Sequence, residues 1–149
     1  MGESKLPKAV LWDMDGTLID SEPYWIASET ALAKDYGHSW SDENALEMIG
    51  KSLYDSSAML KNKFSIDDLS VQEVIDRLTN EVVANLKQEL HWRPGALELL
   101  IALKQAGIKT ALVTMSMRRM ALAVTDQIPF AVFVVLVACD VVTHVKPDP

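Results

Sequence analysis

Apolar positions along this chain follow two rhythms. Lys8 to Trp12, ending in Ala9-Val10-Leu11-Trp12, is apolar without alternation, and Ile108 to Val113 and Phe130 to Ala138 are similar. Short unbroken apolar runs predict strands buried on both faces of a parallel sheet. Between the first run and the second the period lengthens to that of a helix. Ser21, Glu22 and Pro23 open one helix, with Ser21 as its cap, and Gly37 stops it. Ser41 opens a second, carrying Ala45, Leu46, Met48 and Ile49 and closing at Gly50, and a third runs from Leu53 to about Lys61. Ser70-Val71-Gln72-Glu73 is a capping box. Behind it Val71, Val74, Ile75, Leu78, Val82, Leu86 and Leu90 form one stripe at three- and four-residue steps.

Beyond that stripe, Pro94 and Gly107 bracket a helix with Leu97, Leu100, Ile101 and Leu103 facing inward. Another helix is expected from about Met117 to Asp126, between the second and third strands. Helices alternating with strands predict an α/β chain, with right-handed crossovers and a parallel sheet of about three strands. The division expected is a Rossmann-like core over 1–19 and 91–149, interrupted by a helical insertion over 20–90.

The first strand runs into Asp13-Met14-Asp15-Gly16-Thr17. Two acids two residues apart on extended backbone point the same way. They can share a divalent cation, or divide the work of nucleophile and proton carrier. Gly16 permits a sharp turn, and Thr17 can bind a phosphate or cap the next segment. In an open parallel sheet, ligands sit outside the C-terminal strand ends. Thr114 and Ser116 arrive there after the second strand and Lys146 after the third. Two acids, a hydroxyl and an ammonium suit phosphoryl transfer: one carboxylate attacks phosphorus, Thr114 and Lys146 hold its oxygens, and Asp15 protonates the leaving oxygen and then activates water.

Composition narrows the partners. The net charge of −7 argues against a nucleic-acid partner, because phosphate backbones are met by clusters of Lys and Arg. A bound cation would still admit small anionic substrates. Cys139 is the lone cysteine, so no disulfide framework is expected, as suits a reducing cytosol, and it reads as a buried small hydrophobe. Met1 to Lys8 shows no secretory signal, and the longest apolar run, Ile128 to Cys139, is 12 residues with Pro129 inside it, too short for a bilayer. A soluble, cytoplasmic protein is expected, with no membrane partner.

These segments resemble the haloacid dehalogenase superfamily of aspartate-nucleophile phosphatases, in the branch of phosphoglycolate phosphatase and β-phosphoglucomutase. Asp13-Met14-Asp15-Gly16-Thr17 matches the first motif, Leu112-Val113-Thr114 the second, and Lys146-Pro147-Asp148-Pro149 resembles the third. The insertion at 20–90 resembles that family's cap. The resemblance implies that Asp13 is the nucleophile, forming an aspartyl phosphate and ligating Mg2+. It implies that Asp15 is the general acid and base and lends its carbonyl to the metal. Gly16, Thr114, Met115 and Lys146 would bind the phosphoryl group, with Lys146 steadying Asp13. Glu22 and the Gly50-Lys51-Ser52 turn would face the leaving group. An acid at Asp15 speaks against a dehalogenase, which has no alcohol to protonate.

The family's fourth motif, an acidic pair on a further strand, has no counterpart here. The chain therefore reads as a partial form of a longer phosphatase, with weakened magnesium binding. Its third strand would be an apolar edge open to self-association, made more apolar by Val134 and Val145, where relatives often carry Asp and Gly. The expected function is a magnesium-dependent phosphatase acting on a small phosphorylated metabolite. The alternatives are a sugar-phosphate mutase and a non-catalytic phosphate- or partner-binding module. A signalling receiver domain fits less well, because its phosphorylated Asp follows a middle strand and no helical insertion interrupts it.

Overall fold

A computed structural model of the chain describes residues 6–148; Met1–Lys5, and Pro149 of the third motif, lie outside the described residues. The order is β1 (Ala9–Trp12), α1 (Glu22–Asp35), α2 (Asp42–Leu46), α3 (Leu53–Lys63), α4 (Val71–Gln88), α5 (Ala96–Gln105), β2 (Lys109–Val113), α6 (Arg118–Thr125), β3 (Phe133–Val137) and a 3-10 turn at Cys139–Val141. The three strands form one parallel sheet in the order β1-β2-β3. This is the α/β architecture the alternation predicts.

Two expectations about the strands need correction. β1 is an edge strand: Ala9 is exposed and Leu11 is 73% exposed, so only one face of it meets the core. β3 begins at Phe133 instead of Phe130, because Ile128–Phe130 form a bend around Pro129, which has no N–H for a ladder. Central β2 keeps Thr110, Ala111 and Leu112 buried, as an inner strand should. The helices also differ in detail. α2 ends at Leu46, leaving Leu46 and Ile49 exposed in and after a single short turn, and Ile101 of α5 faces outward at 41% exposure. The periodic reading made Ile101 inward because it is apolar, yet the buried face of α5 is Ala96, Leu100 and Leu103.

The capping box forms as the sequence predicts. Ser70 Oγ accepts from Glu73 N at 3.2 Å, and Glu73 Oε2 accepts from Ser70 N at 2.7 Å. Two buried clusters hold the structure. One gathers Trp12, Met14, Leu18, Leu112 and Met120 around the sheet; the other gathers Leu32, Trp40, Met48, Leu60 and Phe64 among the helices. α4 serves both, giving Val82 and Leu86 to the first and Val74 and Leu78 to the second. The ion pair of Arg119 Nη2 with Asp76 Oδ1 at 2.8 Å ties α6 to α4. The chain leaves the sheet region and returns to it side by side: Asp20 N donates to His91 O at 2.8 Å and Arg93 N to Leu18 O at 3.0 Å.

No helix among the described residues is long and apolar enough to cross a membrane. Cys139 is half-buried, not enclosed. Its thiol lies 3.6 Å from Met117 Sδ, and burial pushes its pKa up.

Candidate active site

Trp12 and Met14 point into the core, which turns Asp13 out at the C-terminal end of β1. Gly16, at φ +74°, reverses the chain there, and Met14 O accepts from the amides of Thr17, Leu18 and Ile19. A side chain at Gly16 would be strained in that left-handed conformation. Thr17 is exposed in this turn.

The two carboxylates, though aimed at one region, have separate partners. Asp13 Oδ1 accepts from Lys146 Nζ at 2.7 Å, and the same ammonium donates to Val113 O at 2.8 Å. Lys146 thus bridges the ends of β1 and β2. Both charged side chains keep contact with water, at 36% and 46% exposure. Such a pair adds little to folding stability, so its consequence is orientation.

Asp15 is held from both sides. Oδ1 accepts from Ser21 Oγ at 2.5 Å and from Trp25 Nε1 at 3.2 Å. Oδ2 accepts from Ser116 Oγ at 2.6 Å and stands 3.5 Å from Thr114 Oγ1, a weak contact. Thr114 in turn accepts from Ser116 N at 3.0 Å, so the loop after β2 is folded onto itself. Ser21, expected as a helix cap, makes no side-chain cap bond and turns its hydroxyl to Asp15 instead. Trp25, one turn further along α1, was not legible as a site residue. Neither was the role of Ser116, beyond its place at a strand end.

A further clasp fixes the loop after β2. Arg118 N, at the start of α6, donates to Asp140 Oδ1 at 2.8 Å, and Cys139 N donates to Ser116 O at 3.2 Å. The 3-10 turn that leads to Lys146 therefore also holds the Thr114–Met117 loop in place.

Asp13, Asp15, Gly16 and Met115 line one cavity of about 380 Å³ with Glu22, Trp25 and Lys51. That volume suits a small ligand. Glu22 and Lys51 are exposed at it, while Ser52 caps α3 by accepting from Asp55 N at 3.0 Å. Lys146 approaches through Asp13 and Thr114 through Asp15; Asp13, Asp15, Gly16, Glu22, Gly50, Lys51 and Met115 border the cavity directly, whereas Thr17 and Ser52 do not line it. Among the described residues, no group of three or more His, Cys, Asp or Glu side chains is placed to hold a metal ion.

The model of the family described as "Haloacid dehalogenase-like hydrolase" matches residues 10–149. The chain belongs to that family. Two curated relatives of this family member are named phosphatases. The "Phosphorylated carbohydrates phosphatase" of Thermotoga maritima is 30% identical over 95% of this chain and 66% of its own length. The "N-acetylmuramic acid 6-phosphate phosphatase" of Pseudomonas aeruginosa is 36% identical over 95% of this chain and 63% of its own. The chain thus spans about two thirds of the length of the curated relatives it matches. Among solved structures, CbbY from Rhodobacter sphaeroides, in complex with phosphate, superposes with a TM-score of 0.83 at 25% identity, over 95% of this chain and 68% of that one.

Proposed function

We propose that this member of the family is a phosphatase that hydrolyses a small phosphorylated metabolite through an aspartyl-phosphate intermediate. The observation that carries the reading is the pairing of Asp13 with Lys146 beside an independently held Asp15, on one cavity. Names given to the relatives, phosphorylated carbohydrates and an amino-sugar 6-phosphate, support a sugar phosphate as substrate. The helices over 20–90 serve as a cap whose Glu22 and Lys51 meet the leaving group.

The steps follow from the positions. The substrate phosphate lies between Asp13, Lys146 and the Gly16 and Thr114–Met115 loops. An Asp13 carboxylate oxygen attacks phosphorus, while Lys146 holds the other charges in place. The ester P–O bond breaks as Asp15 passes a proton to the departing alcohol oxygen. Asp15 then takes a proton from water, whose oxygen attacks the same phosphorus and releases phosphate from Asp13. To reach the alcohol oxygen, Asp15 exchanges some of its bonds to Ser21, Trp25 and Ser116, which couples α1 to proton transfer.

The donors present are hard oxygens: the Asp13 carboxylate and the Asp15 carbonyl, which accepts no backbone hydrogen bond among the described residues. Mg2+ is often held by one or two carboxylates with water and substrate phosphate oxygens, so the set fits that ion. When bound, the ion would neutralise phosphate charge. A thin donor set also favours a second reading, a phosphate-binding module without turnover.

The test is phosphate release from a generic aryl phosphate, with Mg2+ and with EDTA, against Asp13→Asn. Turnover that needs Mg2+ and disappears in the variant supports the enzyme. Phosphate binding by a folded sample with no release would sink it in favour of the module.

A further inference from the structure

Ser21, Trp25 and Glu29 recur every four residues, so α1 and its first turn present them on one face. Ser21 and Trp25 are spent on Asp15. Glu29 is not used by the chemistry above, yet it borders the same cavity and is only 6% exposed. Its Oε2 accepts from Trp40 Nε1 at 2.9 Å, and Trp40 is itself braced edge-on by Phe64, ring centres 5.3 Å apart. The carboxyl is therefore fixed in direction. Its Oε1 has no protein donor among the described residues.

The cavity that this carboxyl borders has a mostly apolar wall. Ile26, Ala45, Met48, Ile49 and Leu53 line it as well. Ser56, also there, spends its hydroxyl on Ser52 O and Leu53 O. A buried polar group in such a wall either costs stability or serves a ligand. Burial pushes the Glu29 pKa up to about 7, so near neutral pH a share of the carboxyl keeps its proton and can donate as well as accept.

We propose that Glu29 is a specificity-determining residue, whose carboxyl group hydrogen-bonds a hydroxyl of the departing alcohol and so selects phosphate esters of polyols over aryl phosphates. This rests on the phosphate-ester reading of the cavity.

The test measures kcat and KM, and calorimetric Kd, for glucose 6-phosphate and phenyl phosphate with the full chain, Glu29→Leu and Glu29→Gln. One neutral hydrogen bond is worth about a factor of ten. Glu29→Leu should raise KM and Kd for glucose 6-phosphate about tenfold and leave phenyl phosphate within about twofold. Glu29→Gln, which keeps a partner for Trp40 and for a hydroxyl, should lose about threefold or less. An equal change for both ligands, or no change in their ratio, overturns the proposal and leaves the phosphatase standing. If the chain binds both esters without turnover, the phosphatase falls and the ratio of Kd values still decides Glu29. Binding of neither ester overturns both.

Discussion

Glu29→Gln separates the charge of one buried carboxyl from its shape. In the folded chain its pKa rises from the ordinary 4.5 to about 7, chiefly through burial, with the Trp40 hydrogen bond pulling it back. A raised carboxyl pKa means that the folded state keeps a proton the unfolded state has released. For this group stability is greatest below about pH 4.5, falls as pH rises from 4.5 to about 7, and is level above that. The excursion is the difference of 2.5 pKa units at 1.36 kcal/mol each, or about 3 kcal/mol. Gln is neutral throughout and can still accept from Trp40. Urea unfolding of both proteins at steps between about pH 5 and pH 8 gives a difference curve in which all other titrating groups cancel. The variant should gain about 2.5 kcal/mol on the wild type between those two ends, moving the midpoint by about 1–2 M urea. A difference that stays flat with pH would mean that the carboxyl ionises as in water, and the burial argument would be wrong.

Lys146→Ala should lower kcat by about 10²-fold while changing stability by less than about 1 kcal/mol, because the Asp13 pair is half in water; steady-state kinetics and denaturation read the two separately. Ser116→Ala removes the 2.6 Å bond to Asp15 and should cost about tenfold in kcat with little change in KM; equal loss in both would point to substrate binding instead. Ser70→Ala breaks the capping box of α4 and should cost about 1 kcal/mol, seen as a fall of about 2–4 °C in Tm. Val135→Lys on exposed edge strand β3 should reduce any self-association seen by light scattering; an unchanged particle mass in a sample that does associate would place the contact elsewhere.

Much of the scaffold was legible because local signals agreed with global ones. The capping box of Ser70 and Glu73 begins a helix whose stripe of Val74, Ile75, Leu78, Val82 and Leu86 is buried at the predicted spacing. The apolar run ending at Trp12 marked a strand, and Gly16 marked the turn that delivers both acids. Burial of individual faces was less legible. Leu11 and Ile101 are apolar and exposed, since hydrophobicity says that a residue can be buried, and packing partners decide whether it is.

The charged groups that meet at the candidate site were legible in the sequence, and their supports were not. Asp13 and Lys146 are 133 positions apart, yet a motif and a strand end announced each. Ser21, Trp25 and Glu29 announced themselves as ordinary helix residues, and Ser116 only as a hydroxyl at a strand end. Ser21 was read as a cap because Ser before a helix usually is one. Its hydroxyl donates to the Asp15 carboxylate instead of accepting from a backbone N–H, because a charged acceptor makes the stronger bond while water can satisfy the amide. A polar residue at one face of α1 looks like a solvated surface until β1 and the loop after β2 are brought against it. The one available signal was spacing: Ser21, Trp25 and Glu29 repeat at four residues on the face that a buried helix would fill with Leu or Ala. Polar and aromatic residues kept at core spacing, beside a motif with two carboxylates, are where a second layer of a site should be sought first.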